Sequence, residues 1–136
     1  GLASISALIF SLYAYIKTRS SVSYADLDYL YLELLKLGTQ FPKLTNPNFT
    51  TDYKNKFDNE DELSRYNTFA FISWNICETI YDRCCDKQTW ETWRPVIEAE
   101  NRLHRKWFDE EENFHKFKKS FREFIVKEFP GGLLGG

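Results

Sequence analysis

The sequence is poor in cysteine and in net charge, and these two shortages exclude several classes of protein. Only three cysteines occur among the 136 residues, and two of them are adjacent. The disulfide framework of a small secreted domain needs an even, spread set of cysteines, so we expect reduced thiols in a cytosolic compartment. The net charge is only −2, which gives no electrostatic footprint for nucleic acid. We therefore expect no nucleic-acid partner.

Motifs that would identify an enzyme or a cofactor are also missing. The sequence has no HExxH motif, no pair of CxxC motifs, no phosphate-binding glycine loop and no GxSxG nucleophile elbow. We infer no catalytic activity from motifs and expect no cofactor. What the chain has in quantity is apolar material, since 43% of its residues are hydrophobic and 18% are aromatic. This composition argues against disorder and supplies the core of one domain.

The chain opens with an uncharged run, residues 1–16. Tyr13 and Tyr15, near the end of this run, precede Lys17 and Arg19, which is the order of an aromatic belt followed by cytosolic positive charges. A membrane-spanning helix needs about 20 apolar residues, so the run is short on its own. We interpret the run as the part that contacts a membrane and the four named residues as its membrane-flanking positions.

This interpretation divides the chain into three parts. Residues 1–19 are predicted to form a hydrophobic, transmembrane anchor helix, residues 20–130 a cytosolic helical bundle domain, and residues 131–136 a flexible tail. The positive charges behind the apolar run would place everything after Thr18 in the cytoplasm, as in a single-pass membrane protein. Two alternatives for the first helix stay open, namely a buried core helix and an arm used for self-association.

Hydrophobic residues in the rest of the chain recur at helical spacing, and strand-like alternation is missing. The fold is therefore predicted to be all-α, a bundle of about four helices preceded by the hydrophobic one. A long loop rich in aromatic residues separates the first two helices of the bundle and should lie ordered across it. The predicted helices are residues 23–37 with Gly38 as the stop, residues 60–84, a helix from near Thr92 after a turn at Trp90, and a last helix capped by Asp109. The last two could also run on as one long helix through Asp109.

The helix predicted at residues 60–84 carries two apolar stripes, which leaves only a narrow polar line on its surface. One stripe consists of Leu63, Tyr66, Ala70, Trp74, Cys77, Tyr81 and Cys84, and the other of Phe69, Ile72, Ile76 and Ile80. A helix that is apolar over most of its circumference is a central one. Ile76 and Cys77 lie on different stripes, so both should be buried whatever the topology of the bundle.

Glu100 and His104 are the best candidates for chemistry. They are four residues apart on a predicted helix and share one face, whose other members are Trp93, Ile97 and Trp107. A carboxyl group and an imidazole on an apolar face must pair with each other or with another buried polar group. Such a pair could transfer protons or supply half of a metal site. A buried pair that only satisfies itself is the commoner arrangement.

Glu111 and His115 repeat the Glu-x-x-x-His spacing eleven residues later. Along one continuous helix eleven residues cover about 16 Å, so the two histidines could share a metal ion only across a turn. Glu100, His104, Glu111 and His115 are therefore kept together as candidate metal ligands, although no motif supports them.

Cys84 and Cys85 lie at the end of the central helix, beside Arg83 and Lys87. Positive charge close to a thiol lowers its pKa, which would suit a redox or metal-sensing pair. Burial as a small apolar side chain is the more common role of cysteine. The sequence leaves both roles open.

Three stretches carry a resemblance: ISALIFSLYAYIKTRSS at the start of the chain, and NICETIYDR and TWRPVIEAENRLHRKWF later. With these stretches the layout resembles that of uncharacterised prokaryotic small helical proteins with an N-terminal membrane anchor, and it points to no named family. The resemblance implies a membrane-tethered cytosolic helical module and no particular reaction.

Together these observations favour a membrane-anchored cytosolic interaction or signalling module that works through a protein partner or by self-association. Two alternatives remain. The first is a small all-α enzyme, or a metal- or ligand-binding protein, that uses Glu100 and His104. The second is a soluble homo-oligomer with the first helix as its interface.

Overall fold

The computed structural model describes residues 7–11 and 24–130. All regular structure within these residues is helical, which confirms the prediction of an all-α bundle. Four helices form the body of the fold, as predicted. They are α1 (Tyr24–Gln40), α2 (Glu60–Arg83), α3 (Lys87–Asp109) and α4 (Lys119–Glu128).

α2 is the central helix, as its two apolar stripes predict. It packs against both α1 and α3, and its Ile76 and Cys77 side chains are 1% and 0% exposed. The side chain of Asn59 fixes the start of the helix by accepting a hydrogen bond from the backbone N–H of Glu62 at 2.9 Å. The predicted boundaries of this helix agree with the observed ones to within one residue.

α1 continues past Gly38, so the predicted stop at this glycine is wrong. Gly38 is buried, and a Cβ atom at this position would lie 2.7 Å from Cγ2 of Thr45. The glycine therefore allows the 3-10 turn Pro42–Thr45 to pack closely against the helix. The helix ends instead at Gln40, just before Pro42, a residue that cannot continue it.

α3 begins at Lys87, so the predicted start near Thr92 and the turn at Trp90 are wrong. The side chain of Asp86 accepts a hydrogen bond from the backbone N–H of Thr89 at 2.9 Å. This cap starts the helix ahead of Pro95, which lies inside it. The capping carboxylate therefore outweighs the preference of proline for a first turn.

α4 also begins later than predicted. Asp109 is the last residue of α3 and does not cap the next helix, because its carboxylate accepts a hydrogen bond from Nε of Arg105 at 2.7 Å. A single helical turn, Glu111–Phe114, precedes α4. The backbone N–H of Lys118 at the start of α4 donates to the carboxylate of Glu78 on α2 at 3.0 Å. The start of α4 is thus set by the central helix.

The loop between α1 and α2 is ordered and lies across the bundle, as predicted. It contains two single helical turns, Pro47–Thr50 and Tyr53–Lys56, and the first of these packs on α3. Tyr53 and Phe57 are buried, and their ring centroids lie 5.2 and 4.9 Å from that of Tyr66 on α2. The loop therefore covers the region in which α2 and α3 meet.

The predicted transmembrane anchor falls mostly outside the described residues and has no support from them. Of residues 1–19 only 7–11 are described; they are helical, and Ile9 is 4% exposed among the core side chains while Phe10 is 69% exposed. Within the described ranges no helix combines the length and the apolar character that crossing a bilayer requires. The predictions that lie outside these ranges concern Tyr13, Tyr15, Lys17, Arg19 and residues 131–136.

Candidate functional site

Glu100 and His104 lie side by side on α3 and face the core. Nε2 of His104 is 3.6 Å from Oε2 of Glu100, slightly longer than a hydrogen bond. The imidazole is 0% exposed and the carboxyl side chain 6% exposed. The structure therefore brings together the two residues that the sequence singled out, in a place that is almost closed to solvent.

A third residue, Tyr66 of α2, completes the cluster. Its hydroxyl oxygen lies 2.8 Å from Nδ1 of His104, and its side chain is fully buried. The ring of Phe69 meets the imidazole edge-on, with 5.6 Å between the ring centroids. Sequence reasoning placed Tyr66 on an apolar stripe and missed this contact. Because Tyr66 and His104 are 38 residues apart in the sequence, helical periodicity cannot predict their contact.

The two ring nitrogens of His104 face different neighbours: Nδ1 faces Tyr66 and Nε2 faces Glu100. A neutral imidazole has one N–H donor and one acceptor nitrogen. When Tyr66 donates to Nδ1, the N–H lies on Nε2 and points toward an ionised Glu100. When Nδ1 carries the hydrogen, it donates to Tyr66, and Nε2 faces a protonated Glu100. The direction of the bond between Tyr66 and His104 therefore decides whether Nε2 presents a donor or an acceptor to the side of the core where Glu100 lies.

Burial sets the charges in this cluster. It lowers the pKa of His104 to about 3 and raises the pKa of Glu100 to about 7, because both charged forms lose their water. The hydroxyl of Ser73 on α2 opposes the rise in the pKa of Glu100. Burial also raises the pKa of Tyr66 well above its ordinary value, and Tyr53 adds to this effect. Near neutral pH the imidazole is uncharged and the carboxyl group is divided between its two forms.

Glu100 is the member of the cluster that borders a surface groove. The groove has a volume of about 410 Å³, lies between α1 and α3, and is lined by Tyr31, Gly38 and Thr45 among other residues. Oε2 of Glu100 is buried and has no hydrogen-bond partner in the described part of the chain. Buried polar atoms are nearly always paired, so Oε2 and the equally unpaired Nε2 of His104, 3.6 Å away, form an unsatisfied polar spot in the core next to this groove.

The chemistry open to this cluster is limited by access. His104 is hydrogen-bonded to Tyr66 through Nδ1, whereas its Nε2 lies 3.6 Å from Glu100 and makes no hydrogen bond, so the three groups do not form a continuous path for a proton. Tyr66 and His104 are both fully buried, and neither lines the groove. Glu100 is therefore the one residue of the three that a molecule in the groove could contact.

Glu111 and His115 do not join Glu100 and His104 as a ligand set. His115 is exposed, and its Nδ1 lies 3.1 Å from a guanidinium nitrogen of Arg122. Glu111 is exposed as well. Among residues 7–11 and 24–130 no group of three or more histidine, cysteine, aspartate or glutamate side chains could hold a metal ion.

The two adjacent cysteines differ in environment. The thiol pKa of Cys84 is raised to about 11, mainly because the side chain is buried and to a lesser extent because of the neighbouring Cys85 and Asp86. This shift is opposite to the activation that Arg83 would provide. Cys85 is exposed, and its thiol lies 3.4 Å from the backbone oxygen of Asp82. Neither thiol is in a disulfide.

An apolar strip runs along the outer side of α1. It consists of Tyr29, Leu32 and Leu35, whose side chains are 56%, 53% and 45% exposed. The three residues follow at intervals of three and so share one side of the helix. A groove of about 370 Å³ lies along them. Exposed Asp28 and Lys36 stand at the two ends of this α1 strip.

Sequence reasoning missed the α1 strip because α1 is apolar on both sides. The inward positions were recognised from their helical spacing, and the structure buries most of them. Periodicity does not tell which of two apolar sides the bundle covers. The recognised positions are Leu27, Leu30, Tyr31, Leu34 and Leu37; Tyr31 is half-buried and the others are at most 2% exposed.

Comparisons with known proteins find no similarity on which a function could be based: no family model matches the chain, and no curated protein or solved structure does so either. This agrees with the sequence interpretation, which pointed to no named family. Two features of the molecule bear on its function, the buried cluster around His104 and the α1 strip.

Proposed function

We propose that this chain is a helical protein-interaction module, and that the α1 strip is its docking surface. The observation that carries the proposal is the exposure of three large apolar side chains in one row, Tyr29, Leu32 and Leu35, each about half exposed. Single exposed apolar residues are common on soluble domains and need no explanation. A contiguous apolar row flanked by charges is the feature that distinguishes an interaction site.

The helical geometry of the strip indicates how a partner docks. Its three side chains span residues 29–35, about 10 Å in the middle part of the 17-residue helix α1, whose full length is about 25 Å. An elongated apolar ridge of this kind suits packing against another helix, in the manner of amphipathic helix recognition. Covering apolar surface stabilises a complex by about 25 cal/mol per Å² before the costs of association are subtracted.

Tethering to a membrane through residues 1–16 is a second part of this proposal. It is supported by the uncharged run and by the order of Tyr13, Tyr15, Lys17 and Arg19 in the sequence. If the run enters a bilayer, Ile9 has to leave its contact with the core side chains of the bundle. The alternative of a first helix packed on the bundle therefore predicts that Ile9 stays buried.

Site-specific photo-crosslinking tests the docking surface. A photoreactive residue at Leu32 should give one discrete crosslinked species in intact cells, and the additional change Leu35→Asp should abolish it. The matched control is Val126 on α4, which is 48% exposed and lies outside the α1 strip. The same probe at Val126 should give no discrete species. Equal crosslinking from both positions, or none from Leu32, would contradict the proposal.

A second candidate function is the binding of a small organic cation in the groove at Glu100. It is favoured by the buried Oε2 of Glu100, which lacks a hydrogen-bond partner in the described chain. The half-buried ring of Tyr31 forms part of the wall, and burial raises its pKa to about 12, so this wall stays uncharged. An ammonium group on a small apolar body fits a carboxylate floor with such a wall.

Titration with benzylamine tests this second candidate. Saturable changes in the NMR amide signals of Gly38 and Thr45, which line the groove, should occur in the wild type. The substitution Glu100→Gln keeps the shape of the side chain and removes the negative charge, so it should abolish the changes. Signals that do not saturate, or that persist in the variant, would exclude a cation site at this carboxyl group.

A further inference from the structure

We propose that the partner of the α1 strip is a second copy of the same chain, bound in antiparallel orientation with Leu32 at the two-fold axis. This inference rests on the proposed function, because it names the occupant of that docking surface. It follows from the arrangement of exposed residues around Leu32 and from the signs of their charges.

The exposed positions of α1 are symmetric about Leu32. Residues three, four and seven positions away from a helical residue share its side of the helix. Every such position on both sides of Leu32 is exposed, whereas the leucines between them are buried. The exposed positions are Ala25, Asp28, Tyr29, Leu35, Lys36 and Thr39.

The chemistry of these positions is self-complementary in an antiparallel pair. About a two-fold axis through Leu32, Asp28 lies level with Lys36 of the second copy, so opposite charges face each other; Lys36, which also pairs with Glu33 of its own helix at 3.0 Å, would then lie between two carboxylates. Tyr29 lies level with Leu35 of the second copy and beside the same Lys36, where its ring can cover the lysine stem and face the ammonium group. The outermost level pairs the small side chains of Ala25 and Thr39.

The opposite orientation is disfavoured by the same residues. In a parallel pair Asp28 would lie level with Asp28 of the second copy, and Lys36 with Lys36. Both contacts bring like charges together. An antiparallel pair also places the positive N-terminal end of each helix dipole beside the negative C-terminal end of the other, which is favourable. In a closed two-fold dimer the two α1 strips cover each other, so no part of the strip remains exposed to bind a third chain.

The size of the surface predicts a weak dimer. A stable interface buries about 800 Å² on each partner, and the side of a single helix of about 25 Å is smaller than that. Self-association should therefore depend on concentration, and charge should contribute a measurable share of it. Exchanging the charges at Asp28 and Lys36 therefore tests the dimer.

Sedimentation velocity of the full chain, kept in solution by a mild detergent because of its apolar residues 1–16, over a wide concentration range gives this test. The wild type should show a monomer–dimer equilibrium. Asp28→Lys and Lys36→Asp, each alone, should weaken it about tenfold, because each replaces two attractive pairs per dimer by repulsive ones. The double variant restores both pairs with reversed signs and should recover most of the affinity. A mixture of the two single variants should form heterodimers in preference to either homodimer.

The control variants are Leu32→Asp, which should abolish the dimer, and Val126→Asp, which should leave it unchanged. Circular dichroism establishes that each variant keeps its helices. A wild type that stays monomeric, or a double variant that is weaker than both single ones, would overturn the antiparallel pairing.

Failure of the pairing can be told apart from failure of the docking surface. If the crosslinked species from Leu32 has twice the mass of the chain, both proposals are supported. If it has another mass and the chain sediments as a monomer, the surface is real and its occupant is a different protein, so the pairing is refuted. If neither crosslink nor dimer occurs, both proposals fail.

Discussion

The hydroxyl oxygen of Tyr66 lies 2.8 Å from Nδ1 of His104 and thereby joins α2 to α3 in the centre of the core. A second cross-link of the same two helices is the bond from the indole nitrogen of Trp74 to the backbone oxygen of His104, at 3.0 Å. His104 is thus held through both its ring and its backbone. His104, which the sequence marks as a candidate for catalysis or metal binding, therefore also holds α2 and α3 together.

Tyr66→Phe should destabilise the fold. The change removes one hydroxyl group and leaves Nδ1 of the fully buried His104 without a partner, which typically costs about 1–3 kcal/mol. Urea denaturation measures the difference in the free energy of unfolding. Tyr29→Phe is the matched control, since this tyrosine is 56% exposed and its loss of a hydroxyl group should have no measurable effect. Equal stability of both variants would show that the bond contributes nothing.

Glu100→Gln should change the dependence of stability on pH in one direction. The pKa of Glu100 is raised from 4.5 to about 7 in the folded protein, so the folded state binds the proton more tightly than the unfolded state. The stability that this tighter proton binding gives to the folded state is fully present below pH 4.5 and is lost as the pH rises through about 7. The glutamine variant has no such loss.

Relative to the wild type, the glutamine variant should therefore gain stability between pH 4.5 and 7, by as much as about 3 kcal/mol. The measurement is chemical denaturation of both proteins across this range. Glu91→Gln, at an exposed position on the same helix, should run parallel to the wild type. A constant difference between Glu100→Gln and the wild type would contradict the raised pKa.

Ile76→Ala should bring the protein close to unfolding. Ile76 is 1% exposed on the central helix, and truncating a buried isoleucine typically costs about 2–5 kcal/mol of roughly 5–15 kcal/mol in total. Lys119→Ala on α4 should change the free energy of unfolding by no more than about 0.5 kcal/mol, since its ion pair with Glu123 is exposed. Thermal unfolding compares the two. A harmless Ile76→Ala would mean that α2 is peripheral.

Removal of residues 1–18 should release the chain from membranes. The reason is the uncharged run followed by Lys17 and Arg19, whose arrangement matches the end of an anchor. Fractionation of cells that produce either form measures the effect, and the full chain should sediment with membranes. A full chain that is found as a monomer in the soluble fraction would favour the packed first helix, in which Ile9 stays in the core.

The sequence predicted the fold correctly where a segment is strongly apolar, as in α2. The two stripes of α2 predicted the burial of Ile76 and Cys77, because a helix that is apolar nearly all round has to be central. The start of α3 was missed because Asp86 and Pro95 give competing signals, and only the structure shows that the cap prevails. Local sequence signals therefore predict that a helix is present, but they do not decide between two possible start positions.

The candidate sites were predictable only in part. The spacing of Glu100 and His104 placed both on one face, but their partner Tyr66 comes from another helix. The α1 strip was hidden for a different reason. Leu32 and Leu35 resemble core leucines in the sequence, and their exposure depends on how many sides of α1 the bundle can cover. Contacts between helices decide both features, and helical periodicity contains no information about them.

Disulfide trapping at Leu32 tests most directly whether α1 docks on a second copy of itself. In a Cys85→Ser background, which removes the exposed thiol, Leu32→Cys places one thiol at the two-fold axis, within reach of its equivalent. Mild oxidation should convert this variant rapidly into a covalent dimer, whereas Val126→Cys, an equally exposed position on α4, should stay monomeric. Slow dimer formation at both positions, or faster formation from Val126→Cys, would contradict docking through α1.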